Sequence, residues 1–239
     1  MTAEPLIRIT GVRKLFGAQA VLDGVSLEVR GGEAVALLGG NGAGKTTLLK
    51  IVATILRPTA GVVVVAGHDG VREADAVRRV VGFAGHGAWV YDDLTARENL
   101  EFWTTLNGRR APDEEIAAAL GAVDLERVAG TRVRTFSAGM KRRLSLARLT
   151  LSHPHALLLD EPFAGLDQRA KKWLEGHLET FKSRGGALLM VTHSLGRELG
   201  VADRIAILAG GRIVLDSPRA GLDPDDQQRL YAAHAEDVQ

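Results

Sequence analysis

The 239 residues allow one large domain, or a core carrying a smaller lobe, and suffice to bury a sizeable core. A balance of 30 Lys and Arg against 29 Asp and Glu leaves +1, which excludes the strong positive field of a general nucleic-acid binder, while the lack of cysteine excludes a disulfide scaffold, thiolate-held zinc or iron–sulfur and a cysteine nucleophile. The longest apolar runs, at 62–65, 156–159 and 187–191, fall far short of the roughly 18 residues of a membrane-spanning helix, and residues 1–5 lack the basic start of an export signal, so a soluble, cytoplasmic chain is expected.

Residues 6–10 and 26–29 alternate apolar and polar and read as strands; a Gly31-Gly32 turn leads into the short apolar run 34–38, the pattern of a buried strand. A glycine-rich segment from Gly39 to Gly44 follows, then 45–55, where Leu48, Leu49, Val52 and Ile55 recur at helical spacing. Pro58 and Gly61 end that helix, and 62–66 and 80–84 read as further strands. From about 86 to 138 the pattern becomes all-helical, with helices at 95–106 and 113–120 and Pro112 suited to a helix start. A basic amphipathic helix at 139–151, a strand at 156–160, a helix at 167–183 and a strand at 187–192 restore strand–helix–strand alternation. Segments 204–208 and 212–215, joined through Gly210-Gly211, predict a hairpin, which closes a unit of residues 1–222 and leaves 223–239 as an acidic tail.

Two segments carry phosphate chemistry. Gly39-Gly40-Asn41-Gly42-Ala43-Gly44-Lys45-Thr46 fits G-x-x-x-x-G-K-[ST] between a strand and a helix, with Thr47 following. Glycines let successive backbone N–H groups turn inward around a phosphate chain, the helix start adds its positive end, and Lys45 supplies a point charge. Thr46 offers a hydroxyl to Mg²⁺. The second segment is Asp160-Glu161, where a buried strand runs into two acids: Asp160 is the candidate Mg²⁺ carboxylate, and Glu161 is free to orient or deprotonate an attacking water. Neighbouring side chains on a strand point to opposite faces, so the two acids need not share a role.

With these pieces in place the chain resembles the ATP-binding-cassette (ABC) transporter ATPases from about residue 6 to 218. Phe136-Ser137-Ala138-Gly139-Met140 resembles the family's signature, 23 positions before Asp160; Ala164-Gly165-Leu166-Asp167 matches its D-loop, Thr192-His193 its switch histidine, and Phe16 its adenine-stacking aromatic. The resemblance implies an α/β fold with a P-loop NTPase core, a mixed sheet, an N-terminal antiparallel β subdomain and an inserted all-helical subdomain. It also implies Mg²⁺-dependent ATP hydrolysis by Glu161, His193 and Lys45 in a head-to-tail pair, with each ATP held between one chain's residues 39–47 and the other's Ser137, Ala138 and Gly139, near Asp167. Three positions depart from the pattern: Gly40 replaces a frequent proline, Ala138 and Met140 replace a glycine and a glutamine, and His86 stands where a glutamine normally contacts Mg²⁺ and water. A protonated His86 would repel the metal, so activity is expected to fall at mildly acidic pH.

With no span of its own, the chain is expected on the inner face of the membrane, driving a separate permease and no nucleic acid. Phe83, Trp89, Tyr91, Phe102 and Trp103 crowd one stretch; Trp89 and Tyr91 are the expected docking anchors, with at least one of Phe102 and Trp103 filling the lobe. Residues 85–100 and 137–143 are most similar to cassettes of the haem exporter of cytochrome c maturation, and similar also to other two-part exporters, drug efflux included. Arg142, Arg143 and Arg148 read as a charged solvent face, and His153, His155 and His177 as solvated surface.

Overall fold

The computed structural model describes residues 4–85, 87, 89–193 and 197–220; His86 and the acidic tail lie outside the described residues. In chain order the elements are β1 (Ile7–Phe16), β2 (Gln19–Val29), β3 (Ala34–Leu38), α1 (Lys45–Val52), β4 (Ala60–Val65), β5 (His68–Asp69), α2 (Ala74–Val80) and β6 (Val81–Ala84). They continue with α3 (Ala96–Leu106), α4 (Asp113–Ala122), α5 (Ala138–Ala147), β7 (Ala156–Asp160), α6 (Gln168–Ser183), β8 (Ala187–Val191), β9 (Arg204–Ala209) and β10 (Arg212–Pro218). One sheet runs β2-β1-β4-β5 and is antiparallel; the other runs β10-β9-β3-β8-β7-β6, parallel except for the β9–β10 hairpin. The expected α/β fold with a mixed sheet, an N-terminal antiparallel layer and an inserted helical region is the fold observed.

β3, β7 and β8 are buried along their whole length, which is why they read as unbroken apolar runs. Alternate side chains of each strand serve two cores. Val35, Leu37, Leu158 and Leu189 pack with α1 and the antiparallel sheet, while Ala36, Leu157, Leu159 and Met190 pack with Leu174 and Leu178 of α6. A third core, around Leu100, Ile116, Leu120 and Leu144, belongs to the helical lobe.

Several expectations need correction. α1 stops at Val52, before a left-handed Thr54, rather than at Ile55. α2 was not anticipated, because only Val77 of its seven residues is buried and its apolar periodicity is thin. The helix expected at 139–151 is α5 followed by a 3₁₀ turn, Arg148–Thr150, and its arginines are no solvent face: Arg142 and Arg148 are buried, and Arg143 is half-buried with its guanidinium donating to the Val123 carbonyl. His177 is likewise half-buried, stacked on Trp173, and burial pushes its pKa down. Neither Phe102 nor Trp103 belongs to the lobe's core: Phe102 is exposed and edge-on to Tyr91, and Trp103 lies half-buried under Arg148.

Candidate nucleotide site

Residues 41–47 line a cavity of about 410 Å³ at the end of the parallel sheet, facing Asp160, Glu161, Val191 and His193. The backbone of the loop from Gly39 to Gly44 could be built only with glycine at two points. A Cβ on Gly39 would sit 2.2 Å from the Leu208 carbonyl oxygen, and one on Gly44, at φ 101°, would meet Leu22 Cδ2 at 2.7 Å and the Val21 carbonyl at 2.9 Å. Gly44 also provides no side chain to cap α1, so the helix opens on first-turn amides that lack intrahelical acceptors.

Lys45 folds back so that its ammonium donates to the Gly39 and Gly40 carbonyls at 2.7 and 2.9 Å. Burial pushes its pKa down, and the charges of Glu161 and Asp160 offset part of that. The Thr46 hydroxyl donates to Asp160 Oδ2 at 2.8 Å, joining the first turn of α1 to the end of a strand 114 positions away. A hydroxyl oxygen and a carboxylate oxygen side by side are hard donors, a set that fits Mg²⁺ when phosphate and water complete its shell.

Glu161 shares this cavity with Asp160, although adjacent strand residues should face opposite ways. The reason is backbone: β7 ends at Asp160, and Glu161 adopts φ 49°, which swings its side chain out of the strand's alternation. Its Oε1 lies 2.8 Å from His193 Nδ1, and Oε2 is 3.5 Å from the Thr192 hydroxyl.

Among the described residues, the other expected site residues, Phe16, Gly39, Gly40, Ser137, Ala138, Gly139 and Asp167, lie outside the cavity lining. Phe16 is 49% exposed at the end of β1, with Lys14 Nζ 5.0 Å from its ring centre, while Val21 of β2 lines the cavity unannounced by any motif. Ser137 and Asp167 act locally as N-caps, accepting from the amides of Met140 and Ala170. Gly139 starts α5 beside Ala138, and a Cβ there would lie 3.6 Å from the Gly165 carbonyl, so the signature segment and the D-loop are neighbours.

A second cavity, about 440 Å³, separates the core from the helical lobe. Ile55, Phe83, Trp89, Trp103, Leu149 and Leu151 give it an apolar wall, with Arg78, Arg79, Arg109 and Arg148 around them. Trp89 is 59% exposed, and Tyr91 and Phe102 are exposed nearby. Among the described residues, no helix is long and apolar enough to cross a membrane.

A glycine-built loop ahead of a helix, a threonine bonded to a strand-end aspartate and an acid paired with histidine define a P-loop ATPase. Residues 22–164 match the ABC transporter family, and the chain belongs to that family; its fold is that of an ABC-transporter ATPase. It is 38% identical over 216 residues to a daunorubicin resistance ATP-binding protein, DrrA3, of Streptomyces coeruleorubidus, covering 90% of this chain and 68% of that one. It is also 38% identical over 221 residues to a sulfate/thiosulfate import ATP-binding protein, CysA, of Bordetella parapertussis, covering 89% of this chain and 62% of that one. A solved ATP-binding cassette, a dimer in a post-hydrolysis state bound to ADP and Pi, superposes with a TM-score of 0.80 at 25% identity, over 90% of this chain and 99% of that one.

These relatives overturn the expected likeness to the haem exporter: drug-resistance and sulfate-import ATPases match instead. The structure explains why the wording of 85–100 and 137–143 misled. Thr95 and Glu98 form a capping box, Asn99 holds the Tyr91 backbone, and Arg142 holds the carbonyls of Gly85 and Gly87. Those residues make contacts within the cassette itself.

Proposed function

We propose that this chain binds and hydrolyses ATP with Mg²⁺ as one of two cassettes packed head to tail, and thereby powers a separate membrane permease of the efflux type. The observation that carries the reading is the convergence of Lys45, Thr46, Asp160, Glu161 and His193, drawn from three distant parts of the chain, on one cavity. Lys45 and the amides of residues 39–47 hold the phosphates, Thr46 and Asp160 hold Mg²⁺, and Phe16 stacks on adenine. Bound Mg²⁺ neutralises charge on the β- and γ-phosphates. Glu161 takes the proton of the attacking water, and His193, held beside Glu161 through Nδ1, contacts the γ-phosphate. His86, the remaining candidate near the metal, belongs to the same reading.

Pairing is supported by what lies outside the cavity. Ser137, Ala138 and Gly139 stand beside the D-loop instead of lining the cavity, so they serve a nucleotide held by a second chain, as the dimeric form of the similar cassette suggests. The permease docks at Trp89 and Tyr91, and this holds the chain on the inner face of the membrane. Efflux of drug-like molecules is favoured by the daunorubicin and doxorubicin resistance relatives. The test is co-expression with a candidate efflux permease: the pair should co-purify, show ATPase activity and lower daunorubicin accumulation in cells. Turnover without any effect on daunorubicin would overturn the efflux assignment and leave the ATPase.

A further inference from the structure

Arg142 is 7% exposed, on the α5 face that looks into the molecule. Its Nη1 donates to the carbonyls of Gly85 and Gly87, both at 3.0 Å, and its Nη2 to the carbonyls of Asp160 at 3.2 Å and Glu161 at 2.8 Å. Six positions on, Arg148 donates to the carbonyls of Phe83 at 3.0 Å and Trp89 at 3.3 Å, with its guanidinium 4.3 Å over the Trp103 ring. The carbonyls of 83, 85, 87 and 89, every second residue of the segment leading to the aromatic surface, are therefore held by two guanidiniums. One of them also holds the backbone of the hydrolytic carboxylate.

Two buried cations this close are costly. Burial pushes the pKa of both down, Arg148 to about 10 with the Arg142 charge adding to the fall, and each donates to carbonyls rather than to carboxylates. Packing alone would favour an apolar side chain. What an apolar side chain lacks is a donor for the Asp160 carbonyl and a second donor for the Glu161 carbonyl, which otherwise keeps only the Ala164 amide at 3.2 Å, at the point where the chain leaves β7 for a left-handed φ.

We propose that Arg142 is a positioning residue: it fixes the backbone at Glu161 and couples it to Gly85 and Gly87, so that displacement of those two residues when a permease engages the nearby surface moves the hydrolytic carboxylate. This rests on the ATPase reading above. Arginine's planar fork of five donors spans four carbonyls, whereas the lysine ammonium has three donors at one point.

The experiment compares Arg142→Lys, Arg142→Gln and Glu161→Gln with the wild-type full chain, measuring ATP turnover, thermal unfolding and hydrogen exchange. Both Arg142 variants should lose about 10–100-fold in kcat, the scale of a carboxylate displaced by about an ångström. KM for ATP should stay within about threefold, because none of the four bonds engages a side chain of the cavity. Peptides spanning Trp89 and Glu161 should lose protection together while those of α3 and α4 keep theirs. Unchanged kcat overturns the proposal. So does a loss of activity that follows a general loss of protection, or failure of both Arg142 variants to fold, since either makes the residue a core support only. If wild type has no ATPase activity, or Glu161→Gln is as fast as wild type, the ATPase reading is what fails; slow Glu161→Gln beside fast Arg142 variants removes this proposal alone.

Discussion

Replacing Lys45 with methionine keeps the aliphatic stem and removes only the ammonium. In the free protein that ammonium is satisfied by the Gly39 and Gly40 carbonyls, so binding phosphate exchanges two carbonyl partners for anionic ones instead of creating bonds from nothing. The net gain is then about one charge-assisted bond, roughly 1.5–3 kcal/mol, or about a 10–150-fold weaker affinity in Lys45→Met. The free protein should not be harmed. Lys45 is half-buried, burial is the largest influence on its pKa, and the nearby acids only partly offset it, so the charge is carried at a cost. Sign follows from linkage: a base with a depressed folded pKa binds fewer protons folded than unfolded, so stability rises with pH between that pKa and the ordinary lysine value. Lys45→Met should erase this rise, and nucleotide affinity in wild type should decline as pH climbs through the same window. Titration with a fluorescent ATP analogue in Mg²⁺, alongside thermal melts of the free protein, reads both halves. An affinity within a factor of two of wild type, or a melting temperature several degrees lower, would refute the exchange argument.

Glu161→Gln keeps the shape and loses the base; turnover should drop by about 10²–10⁴-fold while ATP-bound dimer accumulates on a sizing column, and a monomer in ATP would count against the paired arrangement. Gly39→Ala forces a Cβ to 2.2 Å from the Leu208 carbonyl, so nucleotide binding and stability should fall together by at least about 1–3 kcal/mol, checked by calorimetry and denaturant unfolding. Asn99 is fully buried, accepts from the Tyr91 amide at 2.8 Å and donates to the Tyr91 and Thr95 carbonyls at 3.0 and 2.9 Å. Asn99→Leu strands the Tyr91 amide, leaves the Tyr91 carbonyl with the Leu94 amide alone, and should cost about 1–3 kcal/mol in urea unfolding, with nucleotide affinity unchanged.

The elements that sequence located best are those whose boundaries are set by local chemistry. β3 and β7 end where apolar runs end, and α3 and α6 start at Thr95 and Asp167, caps whose side chains bond their own helices. The nucleotide cavity was equally legible, because its loop is a contiguous motif and its acids terminate a strand. What escaped was long-range. Arg142 lies in phase with Leu146 and Leu149, and Arg148 with Leu144 and Leu151, at i, i+4, i+7; that periodicity marks both as inward-facing, but only tertiary structure reveals the carbonyls that justify burying a charge. Val21 enters the cavity from a strand of the other sheet, and Glu161 joins Asp160 through a φ angle that no strand pattern encodes.

The left-handed backbone at Glu161 sets two selective pressures against each other. A non-glycine residue at φ 49° costs roughly 1–2 kcal/mol, worth about 2–8 °C in melting temperature for a chain of this size. Glycine or asparagine would relax that cost while discarding the carboxylate. A variant library screened for thermal resistance alone would therefore enrich stable, inactive chains at this position, so any engineering of this cassette must select on turnover as well.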